Sequence, residues 1–285
     1  MSKDRKAGKN DVKKRLPSSY LRHLLATGLI ASLAFVVYSN TFYVPFHFDD
    51  RPNILENPNV QIKVFTWDRL GQFVKNTYGV SIRVFAYFTL ALNYYFGEFN
   101  VFGYHLVNFL IHVASGIFLY WFLMLTFHLP LLREKYESIS YKAALFAALI
   151  FICHPIQTQS VTYIVQRMAS MAGMFYLLSM VLYVKGRVSG GKGRFFCLGG
   201  AVLTWLLGVF SKENVAILPL FILLYEFYFF QNLTVTRAGK KILLVLLILV
   251  ILIVIVGLLL WGERYFNLIL EGYKIREFTL EQRLL

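Results

Sequence analysis

Long apolar runs alternate with short polar, mostly basic stretches along almost the whole chain. A membrane-crossing helix needs about 20 apolar residues to cover about 30 Å of hydrocarbon. That measure predicts seven spans, near residues 21–43, 104–127, 141–153, 158–184, 195–210, 214–230 and 241–261, with 141–153 and 195–210 shorter than the rest. Residues 82–96 are also apolar and helical in pattern but about 15 residues long, and their aromatic residues suit a helix lying along the interface. They fall inside the long segment 44–103, which opens with Pro45, Pro52 and Pro58 and is therefore irregular at its start. The expected fold is an all-α, polytopic transmembrane bundle with a long first loop carrying interfacial helices.

Composition agrees with that pattern. The chain is 58% hydrophobic and 17% aromatic, more apolar surface than a soluble domain of 285 residues needs. Its net charge of +14 raises the question of nucleic acid, and the location of the charge answers it. With the N-terminus in the cytoplasm, segments 1–22, 128–142, 185–194 and 231–241 hold 18 of the 29 Lys and Arg and 4 of the 15 acids. The remaining residues balance to zero, so the whole excess lies on one side, as the positive-inside rule requires. A crossing at 82–96 would put Lys185, Arg187, Lys192 and Arg194 outside. The basic groups are loop flanks rather than a groove interleaved with aromatics, so no nucleic acid partner is expected. Residues 1–20 read as a basic cytoplasmic arm, 21–261 as the membrane module, and 262–285 as an outer segment that looks cut short. Cys153 and Cys197 sit on different spans near opposite faces and cannot pair.

The candidate chemistry gathers on the outer side. Asp49 and Asp50 follow the first span directly. His154, before Pro155, ends the third span on the same face, and Ser211-Lys212-Glu213-Asn214 returns charges there, with Ser211 a candidate N-cap for the sixth span. Arg83 lies on the interfacial segment, and Lys274 and Arg276 lie in the outer tail. Inside the bundle, His105, Asn108, His112 and Ser115 form a polar stripe on one helix face, suited to interhelical hydrogen bonds. Arg167 stands about eleven residues into the fourth span and needs a carboxylate or an anionic ligand as partner. Glu226, near the inner surface, reads as a snorkelling or helix-pairing residue. Asn232-Leu233-Thr234 matches a glycosylation acceptor but falls inside. No metal-ligand spacing occurs, and no cofactor is identified. Carboxylates beside several cations at a lipid interface suit a reaction on a membrane-borne phosphate: cations hold the phosphate as leaving group, and a carboxylate takes the proton of an attacking hydroxyl.

Four blocks carry a resemblance: Phe46 to Asn59, the run Asn93 to His112 (NYYFGEFNVFGYHLVNFLIH), His154 to Ala169 (HPIQTQSVTYIVQRMA) and Ser211 to Asn214 (SKEN). In that order the chain resembles the polytopic GT-C glycosyltransferases, and among them the tetratricopeptide-repeat O-mannosyltransferases and their bacterial relatives. The resemblance implies transfer of a mannose-like sugar from a polyprenyl- or dolichyl-phosphate donor to a protein hydroxyl or glycan acceptor on the extracytoplasmic face. It places the catalytic base at Asp49, with Asp50 as second candidate. Arg83, His154, Arg167, Lys212, Glu213, Lys274 and Arg276 are then expected around the lipid phosphate. Where such relatives carry an acid soon after His-Pro, this chain has Gln159. A bacterial inner membrane is the preferred location, with the endoplasmic reticulum as alternative. The rival readings are a transporter or flippase, which should carry polar groups to both faces, and a non-enzymatic scaffold.

Overall fold

Hydrocarbon offers backbone groups no water, so apolar segments cross it as helices and any break must be repaired by other groups of the protein. The computed structural model describes residues 18–231 and isolated helical positions between 244 and 262. Among the described residues there is no strand. The helices are α1 (Ser18–Tyr38), α2 (Trp67–Val80), α3 (Val84–Gly97), α4 (Val101–Phe127), α5 (Pro130–Cys153), α6 (Thr158–Thr162), α7 (Arg167–Val188), α8 (Gly191–Val209) and α9 (Leu218–Tyr225). Six stretches are long and apolar enough to cross a membrane: Tyr20–Thr41, Val101–Phe127, Pro130–Cys153, Ile164–Val188, Gly191–Val209 and Glu213–Phe230. The protein is a multi-pass membrane protein. The seventh predicted span, the basic arm, the Asn232 acceptor pattern and the outer tail fall largely or wholly outside the described residues. Helix α3, with 14 residues, is too short to cross, as its sequence predicts.

α4 is the central helix, with half of its most apolar stretch buried. α1 and α5 pack on one side of it through small residues, Ala26, Ala34, Ala144 and Ala148, which let the backbones approach. Gly116 marks the tightest crossing: a Cβ there would lie 2.7 Å from Ile152 Cδ1 and 3.2 Å from Ile30 Cγ2. On the other side, α7 leads to α8 and α9 through Met180, Val184, Ala201 and Leu218. A third cluster, including Ile54, Val60, Leu90, Tyr104 and Ile164, joins the 42–100 segment and α3 to α4 and the start of α7. That end of the bundle is called the loop end below.

Several expectations change. The third span is full length, because the polar run from Pro130 to Lys142 is helical and continuous with the apolar part. The fourth span is not one helix from 158. After Pro155–Gln157 and α6, the chain turns out of helix at Tyr163 and restarts through Ile164–Gln166 into α7. Arg167 therefore opens α7 instead of lying about eleven residues inside a helix. From Arg167 to Val188 alone the helix measures about 33 Å at about 1.5 Å per residue, enough to cross. Ser211 is not an N-cap; its hydroxyl donates back to Leu207 O at 2.7 Å, and Lys212 precedes the next turn without a side-chain cap. Glu226 proves to pair helices. It accepts from Arg187 Nε at 2.8 Å and Nη2 at 2.6 Å, from Gln231 at 2.9 Å and from the Tyr183 hydroxyl, all at the end opposite the loop.

Overpacking a close crossing costs about 1–3 kcal/mol. Gly116→Leu is expected to lower the thermal unfolding midpoint in detergent, whereas Gly28→Leu, where nothing lies within 4 Å, leaves it unchanged. Equal midpoints would show that the α1–α4–α5 contact is loose.

Candidate active site at the loop end

The break between α6 and α7 frees backbone groups in a water-poor place, and two polar side chains receive them while a third holds one of those two. Asn108 of α4 donates to Ile164 O at 3.2 Å and, over longer distances, approaches Val161 O and Tyr163 O. Its own carbonyl accepts from Arg167 Nε at 2.7 Å. The freed Val165 N–H donates to Asp50 Oδ1 at 2.8 Å. Arg167, fully buried, also donates to Thr89 O at 3.1 Å, Asn93 Oδ1 at 2.5 Å and Tyr104 O at 2.8 Å, with its guanidinium 5.7 Å from the Tyr104 ring centroid. Its partners are neutral oxygens, not the carboxylate or anionic ligand its sequence position suggested. One guanidinium thus ties α3, α4 and α7 together, a task its planar fork of donors performs and an ammonium could not. Of the rest of the stripe, His112 bonds between helices as expected, Nε2 on Ile152 O at 3.1 Å, whereas His105 Nε2 bonds to Val44 O of the loop at 2.9 Å. Ser115 bonds within α4 instead.

The two acids have opposite environments. Asp50 is fully buried, its second oxygen accepting from His47 N at 3.1 Å, with His47 Nδ1 at 3.8 Å. Burial raises its carboxyl above the ordinary range, and the His47 and Val165 N–H bonds oppose that rise without cancelling it. Asp49 is exposed. Its backbone N–H donates to the Tyr163 hydroxyl at 2.7 Å, and Asn53 Nδ2 donates to its carbonyl at 2.7 Å. Asn53 in turn accepts from the Tyr87 hydroxyl of α3. The Tyr163 ring stacks on His47, centroids 4.7 Å apart. Burial pushes the Tyr163 hydroxyl above the usual tyrosine range, and the nearby Asp49 and Asp50 carboxylates push it the same way, so it stays a neutral donor and acceptor. Phe48 is held at φ 46°, a left-handed turn uncommon outside glycine, which turns Asp49 outward while Asp50 turns in. Beside this turn a groove of about 560 Å³ is lined by Phe46, His47, Phe48, Arg51, Leu55 and Glu56.

The other predicted residues are distributed around this turn. Arg83 makes a two-pronged pair with Glu213, 2.6 Å and 3.0 Å, while Phe85 N donates to Phe210 O at 3.0 Å, so the loop before α3 is sewn to the turn after α8. Lys212 is half-buried next to that pair and has no ion-pair partner among the described residues. His154 is exposed and bonds within its own turn, Nδ1 accepting from Ile156 N at 3.2 Å. Among the described residues no hydrogen bond or ion pair joins His154 or Lys212 to the acids, and no group of three or more metal-ligating side chains occurs. Lys274 and Arg276 lie outside the described residues. Next to the His154 turn, a cavity of about 290 Å³ opens between α4, α5 and α7, with His112, Ser115, Gln157, Ser160 and Ser170 among its lining. Tyr163, Asn53, Tyr87 and Asn93 were not singled out from sequence; Asn93 alone carried a signal, as an amide within an apolar run.

Comparison with known proteins finds relatives of the chain. The chain is 29% identical over 222 residues to human protein O-mannosyl-transferase TMTC4, covering 72% of this chain and 30% of the relative. It is 28% identical over 215 residues to protein O-mannosyl-transferase F38B6.6 of Caenorhabditis elegans, covering 73% and 28%. Drosophila melanogaster protein O-mannosyl-transferase Tmtc2 is 31% identical over 197 residues, covering 64% and 19%. The chain is thus similar to several protein O-mannosyl-transferases over part of their length. It matches less than a third of the length of each of these relatives. No family model matches the chain, and no solved structure matches it.

Asp50 gives a direct test of the turn. Asp50→Ala leaves the Val165 and His47 N–H groups without their acceptor, and a buried donor so orphaned costs about 1–3 kcal/mol. Asp50→Asn keeps an acceptor oxygen for Val165 and restores that part of the loss, leaving His47 N–H facing an amide donor. The raised carboxyl carries a pH signature: the folded state binds the proton more tightly than the unfolded one. Wild-type stability is therefore expected to fall as pH rises from the ordinary carboxylate value through the folded one, and Asp50→Asn to lose that component. Thermal midpoints across pH check both.

Proposed function

We propose that this chain is the membrane part of a glycosyltransferase that moves a mannose-like sugar from a polyprenyl- or dolichyl-phosphate donor to a protein hydroxyl or glycan acceptor, on the extracytoplasmic face. The carrying observation is the division of labour between adjacent acids, Asp50 buried as an anchor and Asp49 exposed on a rigid turn beside a groove. The names of the homologues support the reaction class. The concentration of Lys and Arg away from the loop end supports its extracytoplasmic placement.

In this reading the acceptor oxygen attacks the sugar's anomeric carbon, and its proton passes to an Asp49 carboxylate oxygen. The bond between that carbon and the phosphate oxygen breaks, its electron pair leaving on the lipid phosphate. Tyr163, Asn53 and Phe48 hold Asp49 at the angle this transfer needs. Lys212, positioned by the neighbouring Arg83–Glu213 pair, neutralises the leaving phosphate, and His154 adds a donor from the adjacent turn. Lys274 and Arg276, outside the described residues, are proposed as further cations for the lipid phosphate. Arg167 acts through position, holding the α6–α7 break. The cavity between α4, α5 and α7 gives the start of the lipid chain a place within the bundle.

A positioned base contributes about 10²–10⁴-fold to rate. In the full chain, Asp49→Asn is expected to lower sugar transfer from polyprenyl-phosphate mannose by about that factor, with an unchanged unfolding midpoint because the residue is exposed. Lys212→Ala is expected to raise KM for the donor. Transfer at the wild-type rate by Asp49→Asn would sink the reading.

A further inference from the structure

A second groove, of about 370 Å³, lies between the segment Pro58–Val64 and α2, away from the acids. Four primary amides line it, Asn59, Gln61, Gln72 and Asn76, together with Lys63 and Arg69. No carboxylate is part of its lining, and neither cation has an ion-pair partner among the described residues. Asn76 Nδ2 donates to Asn59 Oδ1 at 3.1 Å, which fixes these two amides relative to each other. Gln61 Nε2 donates to Ile54 O at 3.2 Å and Leu55 O at 2.8 Å, binding the groove to the helical turn Arg51–Leu55 that directly follows Asp49 and Asp50. The groove and the acids therefore belong to one continuous, hydrogen-bonded loop.

The lining chemistry selects among ligands. A primary amide presents donors and an acceptor together, matching the alternating N–H and C=O of an extended peptide. Sugar rings would want an exposed aromatic face, and the groove's one aromatic, Phe73, is 3% exposed. Two unpaired cations with no acid between them favour acidic side chains and repel basic ones. We propose that this groove docks an extended polypeptide acceptor carrying acidic residues and aligns its hydroxyl with Asp49. The inference rests on the transfer reading above and names the acceptor class within it.

The test is binding without donor, so that it stands apart from transfer. The full chain in lipid nanodiscs is titrated against fluorescein-labelled threonine peptides whose flanking residues are either Asp and Glu or Lys, followed by anisotropy. At low salt the wild type is expected to bind the acidic peptide about tenfold or more tighter than the lysine peptide, from two cations with no carboxylate in the lining. The double variant Lys63→Glu with Arg69→Glu, both exposed, is expected to reverse that preference. Gln72→Ala with Asn76→Ala is expected to weaken both peptides alike. Absence of peptide binding, an unreversed preference, or displacement of the acidic peptide by short-chain phosphatidylserine or a mannose oligosaccharide but not by unlabelled peptide would overturn the proposal. Asp49→Asn, tested beside them, separates the two ideas. Wild-type peptide affinity without transfer supports both, whereas normal transfer ends the transfer reading and leaves the anisotropy to decide the groove.

Discussion

The structure depends on repairing one helix break at the loop end of the bundle. Between Thr162 and Arg167 the backbone leaves the helix among buried residues, where each freed N–H and C=O costs several kcal/mol unless it is met. Asp50, Asn108 and Arg167 meet them or hold those that do, and each comes from a different part of the chain: the first long loop, the central helix and the restart of the broken one. Arg167 extends the repair to α3 through Thr89 and Asn93. A charge with no carboxylate in contact is tolerated because its donors are spread over several fixed oxygens and its dispersed charge is weakly hydrated.

That repair also creates the site. Because Asp50 is drawn inward to cap Val165, the preceding residue is forced outward, and the left-handed Phe48 and the Tyr163 hydroxyl fix the direction in which Asp49 faces. Two adjacent acids would otherwise compete for one environment. Here one is an internal acceptor whose carboxyl burial raises above the ordinary range, and the other keeps its exposure. The Arg83–Glu213 pair performs a related task across the loop end, linking the entry to α3 with the turn that carries Lys212. At the far end, Arg187 and Glu226 close the bundle with a buried pair whose remaining acceptor capacity is used by Tyr183 and Gln231. Such pairs serve registration more than stability, since desolvation offsets most of their attraction.

Much of this was legible in the sequence because hydropathy and charge are local properties. Six of the predicted spans in outline, the shortness of the helix in residues 82–96 and the hydrogen-bonding role of the His105–Asn108–His112 stripe follow from length and spacing alone. The α6–α7 break was not legible: Tyr163-Ile164-Val165-Gln166 contains neither Gly nor Pro, and its non-helical turn is held by residues more than fifty positions away. For the same reason Arg167 appeared to lie deep inside a helix, and Ser211 appeared to be a cap when its hydroxyl bonds backward. Which of Asp49 and Asp50 is buried is likewise set by Val165, not by anything in the acidic pair itself.

The central claim is that the Arg167 knot holds the helix break and the acidic turn as one unit. Hydrogen–deuterium exchange in lipid nanodiscs, comparing the wild type with Arg167→Lys, tests it most directly. The account predicts that the substitution speeds exchange in residues 46–55 and 158–170 together, and leaves α8 unchanged. Faster exchange in 158–170 with the 46–55 turn as protected as before would contradict it.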